Sequence, residues 1–277
     1  MEPIVIIATI LFLAVALIFS PLGLGGGVLY VPIFHYILNW EFQESLIGSL
    51  TLVLMVALGS GLAHSKTGNA DHKIANSGRI AAIPSAIVGA ILSGVIISFA
   101  GEAAIKLLAV TILLFVLNET VKKMKSTDKA TEEGLEITPD IVRKYQYGAA
   151  FAGLSSGLLG MGGGAILVTL NRNLLKMGAR KSAGTSYLVA STIVPVALSS
   201  HLLLDGVASE MITTIGWIPI IIIPILVAIS AFSGAKFAIE HIPKKMVTNL
   251  FLGAIIISVL RYAYDLTHHA YNLISTT

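Results

Sequence analysis

Long apolar runs divided by short charged loops set the pattern of this chain, and the runs come in two matching series. Pro3 to Trp40 contains no Asp, Glu, Lys or Arg. As one helix it would be roughly 57 Å long against a hydrocarbon core of about 30 Å, so it must fold back. Ser20-Pro21 and the cluster Gly23-Leu24-Gly25-Gly26-Gly27 supply the break, which predicts one arm near Ile4 to Phe19 and a shorter one near Val28 to Leu38. Apolar spans follow over Ser45 to Ala63, Ile80 to Ala100 and Ala103 to Val121, the last with Lys106 near its start. Lys122 to Lys144 is the long polar stretch and reads as a solvated linker. Beyond it the series starts again. Tyr145 to Asn171 is uncharged and broken at Gly160-Met161-Gly162-Gly163-Gly164, and Ser182 to Leu204, Met211 to Ala235 and Met246 to Leu260 come after it.

The two series match residue by residue. An offset of 137 positions places Gly23, Gly25, Gly26 and Gly27 on Gly160, Gly162, Gly163 and Gly164, Ser49 on Ser186, and His64 on His201. Three more residues of offset carry Ser93-Gly94 onto Ser233-Gly234. Glycines can pair by chance in a glycine-rich chain, but the ordered series makes duplication the better reading. The expected organisation is a membrane repeat over 1–121, a linker over 122–143 and a second repeat with a short tail over 144–277.

Composition identifies the solvent. A chain that is 55% hydrophobic and 12% charged, with a mean hydropathy of +0.87, is a multi-spanning helical membrane protein. The net charge of +3 and pI of 9.0 would suit nucleic acid, but the basic residues lie in loops between apolar runs, where they act as topology signals. The absence of cysteine excludes disulfide and thiol chemistry. Met1-Glu2-Pro3 is no basic leader and no clear A-x-A site follows, so the first run is expected to be retained.

Loop charge then orients the halves. With the linker cytoplasmic and each glycine-broken unit a hairpin that returns to its starting side, loops 64–79, 122–144, 172–181 and 236–245 all face inward. They hold all of the 18 Lys and Arg residues except Lys106 and Arg261. Loop 41–44 is then outside while its counterpart 172–181 is inside. The fold class expected is therefore all-α, with two inverted-topology repeats in the cell membrane, each a broken hairpin followed by three transmembrane helices. Many secondary transporters build two exchangeable gates around one midplane site in this way. The short arm Val28 to Leu38 would reach only about 16 Å as helix, so the hairpin tips should meet near the middle.

Backbone freed inside a membrane must be satisfied by protein, by water or by a solute. A short helix is expected to begin after each tip, at Val28 and at Ala165, with free amides and the positive dipole end facing a cavity. Gly25, Gly26, Gly27, Gly162, Gly163 and Gly164 would let N–H groups approach an oxyanion without a buried lysine. The competing reading is that the glycines only permit close helix packing. Ser49, Thr51, Thr185 and Ser186 could donate hydroxyls to the same anion, or bond to their own helix carbonyls one turn back. His64 and His201 end equivalent spans on opposite faces, where a histidine could titrate during proton-coupled transport or serve as a polar end residue.

The glycine-broken helix near the start of each half, the segments Gly48-Ser49-Leu50 and Gly184-Thr185-Ser186, and the long linker together resemble the TauE/SafE family of sulfite exporters, from about Leu11 to Arg261. The resemblance implies movement of small sulfur-containing anions, such as sulfite or sulfonates, coupled to a proton or sodium gradient. Sulfur specificity and export rest on the resemblance alone. A passive anion channel, or an intramembrane enzyme or assembly factor, is the alternative. No phosphate-loop motif, dinucleotide fingerprint in a strand-to-helix context, Ser-His-Asp set or zinc-protease signature occurs. No cofactor, metal or nucleic acid is expected. The partners are an anion, a coupling ion and the bilayer, with the oligomeric state open.

Overall fold

The computed structural model describes residues 3–125, 138–241 and 244–275; helices make up 88% of it, and no strand occurs among the described residues. Helix α1 (Pro3–Phe19) carries no charge and runs into a 3-10 turn, Ser20–Leu22, with Pro21 setting the stop. Helix α2 (Gly27–Pro32) continues as a π turn, Ile33–Ile37, where the Leu38 N–H reaches back five residues to the Ile33 carbonyl. Helix α3 (Phe42–Lys66) opens on a reciprocal cap between Glu41 and Glu44. Helix α4 (His72–Lys125) is two arms joined at Gly101, whose φ of 72° and ψ of 176° only glycine adopts easily. It thus supplies the spans expected over Ile80 to Ala100 and Ala103 to Val121.

In the second half, α5 (Pro139–Leu159) starts on a Thr138 side-chain cap with Pro139 in its first turn. Helices α6 (Gly164–Asn173) and α7 (Ala179–Leu204) follow, then α8 (Ala208–Ile215), α9 (Trp217–His241) and α10 (Lys244–Ser275). Three boundaries differ from expectation. The run Met211 to Ala235 is not one helix: Gly216, with φ 79° and ψ 156°, breaks it into α8 and α9. Both tip helices begin one residue early, at Gly27 and Gly164, because Gly26 and Gly163 serve as their N-caps. The polar stretch is helical at both ends, Lys122–Lys125 and Pro139–Lys144, and its centre lies outside the described residues.

Packing runs crosswise between the halves. The first arm of α4 lies on α5 and α7, and α9 lies on α3 and α1. Glycine lets these backbones touch. A Cβ on Gly153 or Gly157 would overlap the carbonyls of Ala82 and Ala86 on α4, and one on Gly59 or Gly234 would overlap those of Ala228 on α9 and Leu17 on α1. Helix α3 is the most enclosed span, with 72% of its apolar stretch buried, against 28% for α4 and for α9. Ile10, Phe99, Leu107, Ile218 and Ile229 point outward from the periphery, as a lipid-facing surface requires. The chain is a multi-pass membrane protein.

Candidate functional site

The two glycine clusters follow the same backbone path. Gly23, Gly25 and Gly26 have φ of 79°, 72° and 80°; Gly160, Gly162 and Gly163 have 65°, 72° and 67°. Three left-handed residues at matching positions turn each chain from the long arm into the short one, a path costly for any residue with a Cβ. Gly27 and Gly164 have ordinary φ and serve another purpose. A Cβ on Gly27 would lie 2.7 Å from the Met161 backbone, and one on Gly164 would lie 2.7 Å from the Gly23 carbonyl oxygen. The elbows therefore abut main chain to main chain, with Val53 of α3 against both Gly25 and Gly162.

Serines from the two central helices lock this contact crosswise. Ser49 on α3 donates to the Gly160 carbonyl at 2.8 Å. Ser186 on α7 donates to the Gly23 carbonyl at 3.0 Å and lies 3.3 Å from that of Gly164. Each helix thus holds the elbow of the opposite half, at counterpart serines and counterpart carbonyls. Ser49 and Ser186 are fully buried, so each hydroxyl answers a carbonyl that the elbow leaves without a helical partner.

The two threonines lie elsewhere. Thr51 donates to the Ile47 carbonyl of its own helix at 2.9 Å and lines a mainly apolar cavity of about 690 Å³ between α1, α3, α8 and α9. Thr185 accepts the Asp71 N–H at 3.0 Å and so clasps the α3–α4 loop onto α7. In that loop, burial pushes the Asp71 carboxyl up, but the Ile74 N–H at the start of α4 and the Lys181 ammonium, 3.1 Å away, outweigh it and hold the group below the ordinary carboxylate range. Arg79 turns its guanidinium to the Leu188 carbonyl and Asn76.

His64 and His201 are buried alike and partnered differently. His201 has Nδ1 2.8 Å from Asp205 and Nε2 2.6 Å from the Gly157 carbonyl. Neither ring nitrogen of His64 has a hydrogen-bond partner. Sequence reasoning missed Asp205, one helical turn after His201, and it missed two tyrosines. Tyr187 bonds the Phe19 carbonyl at 3.2 Å, with the backbone of Gly23, Leu24 and Gly25 facing its hydroxyl, and Tyr30 bonds the Phe12 carbonyl at 3.4 Å. The signal for both lay in their setting, since a tyrosine in an apolar run needs a partner for its O–H.

Lys106 and Arg261, the two cations that lie outside the four basic loops, meet at Tyr36. Lys106, 7% exposed, pairs with Asp265 at 2.6 Å and Glu102 at 3.3 Å, and Arg261 lies 4.0 Å from the Tyr36 ring. The cluster ties α10, the second arm of α4 and the π turn together, and a cavity of about 370 Å³ opens beside it.

Comparison with curated proteins and with solved structures finds no match. Residues 7–262 match the family described as sulfite exporter TauE/SafE. That match covers nearly the whole of this glycine-elbowed helical bundle, and the chain belongs to the sulfite exporter TauE/SafE family.

Proposed function

We propose that the chain is a secondary transporter that exports small sulfur-containing anions, such as sulfite or sulfonates, by alternating access at the glycine elbows. Its two halves are inverted repeats, with the linker on the cytoplasmic side. The observation that carries this reading is the crosswise seal, in which Ser49 and Ser186 hold carbonyls of the opposite elbows while Gly27 and Gly164 let the two backbones touch. As it stands the seal is closed. Parting of the elbows releases two hydroxyls and exposes the amides at the start of α2 and α6, at Gly25, Gly26 and Gly27 and at Gly162, Gly163 and Gly164. These together suit a compact oxyanion. Thr51, on the apolar cavity, and Thr185, at the α3–α4 loop, belong to the path on either side. Relative movement of the halves opens one side at a time, and a proton or sodium gradient drives the cycle.

Flux in proteoliposomes tests this. Sulfite, sulfate, sulfonates and carboxylates are screened under imposed pH and sodium gradients, and a sulfur oxyanion is expected to accumulate against its own gradient. Purely downhill flux would make the protein a channel and overturn the carrier reading. Orientation is tested with single cysteines in this cysteine-free chain. Gln43→Cys is expected to react with an impermeant maleimide from outside, and Gly178→Cys only from inside. Labelling of both from one side would remove the inversion.

A further inference from the structure

His64 is completely buried, and both of its ring nitrogens lack a partner. A buried polar group in that state needs an explanation, and its counterpart provides one. His201 is 1% exposed and satisfied twice, by Asp205 and by the Gly157 carbonyl. The pair sets an acid against one ring nitrogen and a carbonyl against the other, and a ring that donates to both uses both of its N–H groups. The 137-residue offset carries Gly157 onto Ser20 and Asp205 onto Gly68. The Ser20 backbone acts on the His64 ring although neither ring nitrogen makes a hydrogen bond, and it stands at the position from which the Gly157 carbonyl bonds His201. The acid, by contrast, has no equivalent. Gly68 has φ +70°, nothing stands within 4 Å of where its Cβ would be, and the residue is exposed.

We propose that His64 binds a small oxyanion together with a proton, the anion taking the role beside His64 that Asp205 plays beside His201. One N–H of the protonated ring donates to an anion oxygen and the other to the Ser20 carbonyl. The proton comes from solvent, so a monovalent anion and its proton are bound with no net charge. Without the anion, the charged ring would be a buried ion lacking a counter-ion, which costs several kcal/mol. With it, the site repeats the His201 arrangement.

The charges around the ring favour such an occupant. Arg180 on α7 acts on His64 as a nearby positive charge. Tyr187, also on α7, faces the ring at 6.0 Å between centroids and is uncharged, as is Ser20 on the elbow. Lys66, half a turn along α3, lies over Phe232 of α9. In the α3–α4 loop, Asp71 is paired with Lys181. The chemistry required is that of a sulfonate or a singly charged sulfite, and the coupling ion is the proton.

This inference takes from the transporter reading only the class of anion. Binding is therefore measured in detergent, where flux plays no part. The probe is methanesulfonate, because sulfite itself titrates near neutrality. Calorimetry of the full chain in buffers of different ionisation enthalpy is expected to show about one proton taken up per anion, and affinity rising about tenfold for each unit the pH falls. His64→Gln should abolish the proton uptake and flatten the pH dependence. Gly68→Asp installs the missing acid and should abolish binding, whereas Gly68→Asn, with the same backbone demand and no charge, should keep it. If His64→Gln does not fold, the Gly68 pair decides. Wild-type binding that is absent or independent of pH, proton uptake surviving in His64→Gln, or Gly68→Asp binding as well as Gly68→Asn would each overturn the proposal. Uphill flux alongside pH-independent binding would overturn it and leave the transporter reading standing.

Discussion

The two elbows are near-copies in backbone and in partners, while the two histidines at the far ends of the central helices are not. Each elbow has three left-handed glycines, one glycine pressed on the opposite elbow, and a carbonyl held by the counterpart serine. His201 has an acid and a carbonyl, and His64 has neither as a hydrogen-bond partner. The two halves are alike where main chain meets main chain, since no side chain can substitute there. They differ at the histidines, where Asp205 stands in one half and Gly68 in the other.

The elbows give the largest expected effect. Gly26→Leu and Gly163→Leu each combine left-handed strain with overlap, against Val15 and Tyr30 in one case and the Ala152 carbonyl in the other. Each is expected to cost about 2–6 kcal/mol and to abolish sulfite flux while membrane insertion persists. Gly216→Ala keeps a backbone conformation that only glycine adopts easily but has open space around it, so it should cost about 1–3 kcal/mol. Thermal unfolding in detergent and vesicle flux distinguish the two classes; equal losses would mean that close approach at the elbows contributes nothing.

Next in size is the histidine contrast. Asp205→Asn breaks a buried pair with His201 and should cost about 3–5 kcal/mol, whereas His64→Gln exchanges one unpartnered buried polar group for another and should cost less. The double variant His201→Gln/Asp205→Asn should recover part of the loss, because the uncompensated group is gone. Unfolding midpoints are the readout. A His64→Gln variant as unstable as Asp205→Asn would mean that both histidines are structural.

Much of this was legible along the chain, because matched spacing is visible in the sequence and a helix break in a membrane shows in glycine. The clusters, the matched serines and the matched histidines were all there to be read. What each serine holds was not, since an offset pairs equivalent positions and says nothing of which surfaces meet; that Ser49 crosses to Gly160 is a tertiary fact. The break at Gly216 was hidden because a lone glycine in an apolar run is usually tolerated within a helix. The Asp205-to-Gly68 difference stood in the same register as the match from His64 to His201, but Asp205 follows the end of the apolar run Ser182 to Leu204, where an acid needs no account.

Smaller effects sharpen the crosswise seal. Ser49→Ala and Ser186→Ala each remove one buried hydrogen bond to a main-chain carbonyl, worth about 1–3 kcal/mol when the carbonyl is left unsatisfied. The two should be alike in size, because donor and acceptor are counterparts in both. A Ser49→Ala loss several-fold greater than that of Ser186→Ala would break the equivalence of the elbows, whereas matching losses in stability with a shared drop in flux would support it.

The smallest expected effect lies in the loop that Thr185 clasps. Asp71 is held below the ordinary carboxylate range in the folded chain, so its contribution is fully present above the unfolded value and is lost as pH falls through the folded one. Lys181 is half exposed, which limits the pair to about 0–1 kcal/mol. Asp71→Asn should therefore lower the unfolding midpoint slightly at neutral pH and not at all once the pH is below the folded value. It should leave the proton uptake at His64 intact, because the Asp71 carboxylate is answered by Lys181 and the Ile74 N–H and not by the ring. Loss of that uptake in Asp71→Asn would move the proton from His64 to the loop, and the contrast between the two histidines would then concern packing and not chemistry.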